Sequence, residues 1–280
     1  MHDMPDSPGF RFTVRGARGS TPVGGPAFVR FGEATTCFSL ETDAGVLVID
    51  AGTGALALGR ELAARNPMPE ITLLFTHFHL DHLIGLPPFA PLCRADTRVR
   101  LMADAQRPEA WRETVRGFMQ PPLWPVPLER AGARVDFTDL PMTRGHVDIY
   151  GVRVSWCPVR HPQGCLAYRL EFPGMQIVVA TDREPGQPEM DAAFRAFCRG
   201  ADVLICDAQY LPEEYPTRRG WGHGTWQEAV TQAQAAGVRA LILTHHDQTR
   251  EDAEVDRIVN LARERFPATQ AAFGGMVVCG

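Results

Sequence analysis

The stretch Ile71-Thr72-Leu73-Leu74-Phe75-Thr76-His77-Phe78-His79-Leu80-Asp81-His82 joins a short apolar run to three imidazoles and a carboxylate. The apolar run reads as a buried strand. Imidazole nitrogen and carboxylate oxygen are the donors that borderline cations such as zinc accept. Their order separates them into two sets. In extended backbone, residues two apart point the same way, so His77 and His79 share one ion. A turn after His79, opening a short helix, directs Asp81 and His82 to a second ion. One strand end thus starts a dinuclear site, an order that a chance cluster of histidines would rarely reproduce.

Outward from this point, strand and helix patterns alternate. The run Val46-Leu47-Val48-Ile49 is a buried strand ending at Asp50-Ala51-Gly52-Thr53-Gly54. Further strands are expected at 10–15, 37–42, 99–102, 135–140, 148–157, 165–172, 176–180, 203–205, 240–244 and 270–278. Helical spacing covers 55–65, 108–119, 190–198, 225–236 and 251–266. The first of these helices stops at Asn66-Pro67. Four prolines between Gln120 and Leu128 exclude helix and central strand there. That segment reads as a surface loop carrying Leu123 and Trp124, equally a connector or a lid. Two halves rich in both elements predict two packed sheets with helices outside. We expect a flexible segment over 1–9 and a single domain over 10–280.

Bulk composition narrows the function classes. A 45% hydrophobic and 22% charged chain is an ordinary soluble one. Net charge is −5 and Lys is absent, so no general basic field favours a polyanion. Nucleic acid stays open through a local cluster such as Arg218-Arg219, but is not favoured. The N-terminal residues lack a charged-then-apolar leader pattern. No apolar stretch approaches the roughly 20 residues of a membrane span. The seven cysteines are odd in number and form no CxxC pair, which suggests reduced thiols and the cytoplasm.

A dinuclear site needs more donors than one motif supplies, and strand ends are where to look. His161, between two strands, is a candidate third nitrogen for the first ion. Asp182 follows the run Ile177-Val178-Val179-Ala180-Thr181, where a carboxylate can bridge two cations. His245 and His246 follow Leu241-Ile242-Leu243-Thr244. Side-chain alternation lets only one of them face the site, and periodicity does not choose. His223 lies in Gly220-Trp221-Gly222-His223-Gly224-Thr225, before a helix that Thr225 would cap. Its flanking glycines suit a catalytic or phosphate-contacting imidazole, with Asp207 to orient it. His2 and His146 have no such context.

The set His77, His79, Asp81, His82, His161, Asp182 and a late histidine resembles the metallo-β-lactamase-fold hydrolases over about residues 10 to 280. The resemblance implies a four-layer αβ/βα sandwich and makes Asp50 a support for the metal loop. The segments around Asp207, Gly222-His223-Gly224-Thr225 and Leu243-Thr244-His245 are similar to the phosphodiesterase branch, ribonuclease Z included. That likeness selects His245 over His246. Arg15-Gly16-Ala17-Arg18-Gly19-Ser20-Thr21-Pro22 resembles the start of bacterial cyclic-nucleotide phosphodiesterase-like proteins, with Ser20 and Thr21 near substrate phosphate.

The implied mechanism is hydrolytic, with two divalent ions, zinc first and manganese or iron as alternatives. His77, His79 and His161 would hold one; Asp81, His82 and His245 the other; Asp182 would bridge. Asp81, His223 and Asp207 would be catalytic. A small phosphodiester such as a cyclic nucleotide is the expected substrate. The alternatives are ribonuclease Z-like RNA processing, lactone or thioester hydrolysis and, outside enzymes, a metal-bound sensor. A homodimer is left open.

Overall fold

The computed structural model describes residues 9–104, 108–141 and 143–279. Of the segment expected to be flexible, all but Gly9 lies outside the described residues, as does His2. Strands are numbered in chain order. The first six, β1 Phe10–Gly16, β2 Cys37–Thr42, β3 Gly45–Ile49, β4 Ile71–Leu74, β5 Arg98–Asp104 and β6 Arg134–Leu140, form one sheet in sequence order. The next seven are β7 Gly145–Ile149, β8 Val152–Val159, β9 Cys165–Phe172, β10 Met175–Ala180, β11 Val203–Asp207, β12 Ala240–Thr244 and β13 Thr269–Ala271; they build the second sheet. The last, β14 Val277–Cys279, returns to the edge of the first sheet against β1. The helices are α1 Ala55–Ala63, α2 Leu80–Leu83, α3 Pro108–Phe118, α4 Pro188–Cys198, α5 Tyr215–Arg218, α6 Trp226–Ala236 and α7 Asp252–Arg265.

The alternation of side chains along each strand produces the layers. In β3, Leu47 and Ile49 join the cluster between the sheets with Phe12, Phe38, Trp156, Tyr168 and Ile177. Val46 and Val48 face the opposite way, onto Leu58 and Leu62 of α1 and Trp111 and Val115 of α3. β12 repeats the scheme: Ile242 points between the sheets, while Leu241 and Leu243 pack on α4, α6 and α7. Two sheets inside and helices outside make the four-layer sandwich. α6 begins as its sequence predicts, Thr225 accepting a hydrogen bond from the Glu228 amide at 3.2 Å, and ends at Gly237, whose φ of 65° suits glycine.

Parallel register brings the functional strand ends to one side. β3 and β4 run in parallel with Ile49 opposite Leu74, so Asp50 lies beside the chain leading to His77. In the second sheet Ala180 pairs with Cys206, and Asp207 with Thr244, all in parallel. Asp182, Asp207 and His245 therefore leave the sheet along one edge.

Two expected strands are corrected. The run 148–157 is a hairpin, because Tyr150 and Gly151, at φ 53° and 78°, form a two-residue turn between β7 and β8. The run 270–278 is two strands in different sheets, interrupted at Gly274-Gly275. The proline-rich loop is tied back by the Trp124 amide to Gln120 O and the Leu128 amide to Met119 O, with Leu123 exposed.

The segment after β1 is locked to the far end of the chain. Arg18 is fully buried; its Nε donates to Gly32 O at 2.7 Å and its Nη1 to Arg250 O at 2.7 Å. Beside it, the Asp50 turn is packed without slack. A Cβ on Gly52 would meet Asp81 O at 2.3 Å, Thr35 Oγ1 at 2.5 Å and Thr36 O at 2.6 Å. Because two of these atoms are backbone, they cannot swing aside. Gly52→Ala should therefore lose about 1–3 kcal/mol, the usual cost of overpacking, read as a lower denaturant midpoint.

Candidate metal centre

Each donor is placed by a strand end and then fixed by a second hydrogen bond. His77 and His79 follow β4 in extended backbone; the turn into α2 carries Asp81 and His82. Thr76 Oγ1 lies 3.1 Å from His77 Nδ1 and donates to Asp50 Oδ2 at 2.8 Å. His82 Nδ1 donates to the same Asp50 oxygen at 2.8 Å. His161 Nδ1 donates to Gly222 O at 2.9 Å, and His245 Nδ1 to Gln209 Oε1 at 2.9 Å. In each of these four rings Nδ1 is engaged by an acceptor, so Nε2 is the ring atom turned inward. Burial of Asp50 pushes its pKa up, while the charge and hydrogen bond of His82 pull it back.

The inward atoms converge. Donor atoms of His77, His79 and His161 lie within 4.8 Å of one another, as do those of Asp81, His82 and His245, and of His77, His82 and Asp182. Asp182 Oδ2 is 3.1 Å from His82 Nε2, and Asp182 Oδ1 is 3.4 Å from His245 Nε2. Yet His77 Nε2, His82 Nε2 and Asp182 Oδ2 are buried with no hydrogen-bond partner. They are close but out of line for a hydrogen bond, as atoms are when they aim at a common point between them.

The pair His79 and His161 makes the same point. Their Nδ1 and Nε2 atoms are 3.1 Å apart. Their other nitrogens donate to Gln163 Oε1 and Gly222 O. As neutral rings they would bring two lone pairs face to face, an arrangement that a cation between them resolves. The donor set thus fits divalent metal ions of nitrogen and oxygen preference.

Electrostatics follow the same geometry. Burial pushes His77 well down, and the neighbouring His82 charge adds to it. Burial also opposes the charge on His82, but Asp182, Asp81 and Asp50 outweigh it and hold its pKa well above the ordinary value. Asp182 is raised by burial and pulled well below the usual range by His245, His82 and His77. His245 is lowered by burial and lifted by Asp182 and Asp81 to about 9.

His223 and Asp207 sit at the edge of this cluster. His223 Nδ1 donates to Asp207 Oδ2 at 2.8 Å, and its ring stacks on His245 with centroids 4.8 Å apart. His246, the residue periodicity left open, turns away: its Nε2 bonds to Ala272 O at 3.0 Å, and burial lowers its pKa to about 3. His146 is an exposed residue of β7. Ser20, an exposed residue, also braces the donors: its amide donates to Asp81 Oδ2 at 2.8 Å and its hydroxyl accepts from Gln209 Nε2 at 3.2 Å.

Three residues escaped sequence reasoning. Gln209 links Ser20 to His245. Gln163 holds His79. Glu184, its side chain 1% exposed, accepts from the amides of Gly220 at 2.7 Å and Gly222 at 3.0 Å and from Tyr215 Oη at 2.9 Å. All three are polar residues in loops, without a motif; only the Asp182-Arg183-Glu184 spacing hinted at the last. A cavity of about 730 Å³ opens beside His77 and His79, lined by Phe78, Trp111, Thr114 and Gln163.

Two measurements check this centre. Asp50→Ala removes the acceptor that orients His82 and should weaken metal binding about 10–100-fold, by competitive chelator titration. A dication entering beside His245 displaces a proton held up to about pH 9. Loading should therefore release protons, and affinity should fall as pH drops below that value. Calorimetry in two buffers of different ionisation enthalpy reads the released protons.

Comparison with known proteins agrees with this architecture. A family model described as a beta-lactamase superfamily domain matches residues 46–246. A ribonuclease Z of Bradyrhizobium sp. is 27% identical over 251 residues, covering 71% of this chain and 79% of that one. A ribonuclease Z of Brevibacillus brevis is 36% identical over 104 residues, 36% of this chain and 31% of that enzyme. Among solved structures, the metallo-beta-lactamase fold protein YhfI from Bacillus subtilis superposes with a TM-score of 0.74 at 19% identity, over 96% of this chain and 98% of that one. A diphosphatase of the PhnP family gives 0.68 at 18% identity, over 96% of each chain. With two mixed sheets, outer helices and a buried histidine–aspartate cluster at one sheet edge, the chain belongs to the metallo-β-lactamase superfamily of hydrolases.

Proposed function

We propose that this protein is a metal-dependent phosphodiesterase acting on a small diester, with a cyclic nucleotide as the leading candidate. The observation that carries the reading is the His223–Asp207 pair, which lies beside the metal donors without being needed to complete either triad. His77, His79 and His161 would hold one divalent ion, Asp81, His82 and His245 the second, and Asp182 both; zinc suits these donors best. Bound there, such ions supply Lewis-acid activation of water and neutralise charge on phosphoryl oxygens.

The chain's own residues do the rest. Asp207 engages His223 Nδ1, which leaves Nε2 to deliver a proton to the departing oxygen, and the carboxylate stabilises the charged ring. Asp81, held by the Ser20 amide, keeps one orientation for an attacking water. The 730 Å³ cavity beside His79 has room for one of the groups that the phosphate joins. The ribonuclease Z relatives support a phosphodiester as the scissile bond. A net charge of −5 weighs against a long RNA. Seven unpaired cysteines support a reducing compartment such as the cytoplasm.

The test is hydrolysis of bis(p-nitrophenyl) phosphate by metal-loaded protein, with metal content measured alongside. His79→Ala should lose both metal and activity. His223→Ala should keep its metal and lose turnover by about 10²–10⁴. Joint loss of metal and activity in His223→Ala would refute the proton-donor role. A loaded but inactive wild type would move the assignment to lactones or thioesters.

A further inference from the structure

Trp221 stands out among the large apolar side chains. It is 62% exposed, although burying such a side chain is worth several kcal/mol in general. Its backbone, by contrast, is held firmly. The residues on either side are Gly220 and Gly222, at φ 90° and 97°. Both of their amides donate to the one buried carboxylate of Glu184, and the Trp221 amide donates to Arg218 O at 3.1 Å. Gly222 has no alternative side chain available: a Cβ there would meet His161 Nδ1 at 2.2 Å. The same Gly222 carbonyl accepts from His161, and His223 follows directly. An indole is thus displayed to solvent on a fixed turn whose next two residues touch the proposed metal and proton-transfer groups. Exposed Arg219 lies two residues before it in sequence, adding positive charge for an anionic ligand.

We propose that Trp221 is a specificity-determining residue that stacks on a planar base of the substrate, so that the preferred diester carries a nucleobase. The inference rests on the phosphodiester reading above and adds the residue that would hold the substrate's base. Stacking needs a flat aromatic face presented without reorganisation, and the Glu184 clamp supplies that by fixing the turn before the ligand arrives. An exposed tryptophan on a mobile loop would not serve, because ordering it on binding would offset much of the gain.

The experiment is calorimetric binding of two product-like probes, adenosine 5′-monophosphate and methyl phosphate, to metal-loaded wild type, Trp221→Ala and Trp221→Phe. Both probes carry a phosphate; only one carries a base. Wild type should bind the nucleotide at least about tenfold more tightly, the order expected for one base on one aromatic ring. Trp221→Ala should collapse that ratio towards one, and Trp221→Phe should restore most of it. A ratio unchanged in Trp221→Ala would overturn the inference while leaving the phosphodiester reading standing, and a simultaneous fall in oligomeric state would reassign the indole to a subunit contact. Failure of wild type to bind either probe would overturn the phosphodiester reading, and this inference with it.

Discussion

The carboxylate of Asp182 is 1% exposed and has an oxygen with no hydrogen-bond partner. A charge so placed is tolerated only where opposite charge compensates it. Five imidazoles, His77, His82, His161, His223 and His245, come within 4 Å of its oxygens. Much of the surrounding architecture exists to keep those rings there. Asp50 and Thr76 hold two of them, and Gly222, Asp207 and Gln209 the others. These supports come from both sheets, so the centre joins the two halves of the sandwich as well as sitting at their edge.

The first motif was legible because its chemistry and its period agree. An apolar strand followed by donors at alternate positions points to little besides a metal site. Asp182 and the pair His245-His246 were legible as strand ends, since a buried apolar run that stops at a polar residue marks a sheet edge, and the family likeness rather than periodicity singled out His245. The sequence did not show how donors are oriented. Gln163, Gln209 and Glu184 act through contacts between residues 31 to 189 positions apart, and no local pattern encodes such contacts. The misread strands have an equally local cause. Tyr150-Gly151 is a turn whose first residue is not a usual turn former, and the Gly274-Gly275 break lies inside an otherwise apolar run.

Family and substrate are therefore written in different parts of the chain. The donors and the strands beneath them place the protein in its superfamily, and they say little about the substrate. What surrounds the donors is a set of walls: Phe78 and Trp111 line the cavity beside His77 and His79, and the turn carrying Trp221 leads through Gly222 to His161. These walls come from α3 and from the loops after β4, β8 and β11. The buried register of the sheets constrains such segments least.

The hold that Arg18 has on Arg250, 232 positions away, and the pairing of Phe12 with Cys279 bear on how the molecule comes to be made. A ribosome delivers β1 ahead of the other strands and its outer partner β14 after all of them. Until residues 250–279 emerge, β1 has an unpaired outer edge, and the loop that steadies Asp81 has no anchor. Contacts this distant are slow to close. The donors of the first sheet are thus synthesised well before the fold that organises them, and the exposed edge is open meanwhile to pairing with another nascent chain.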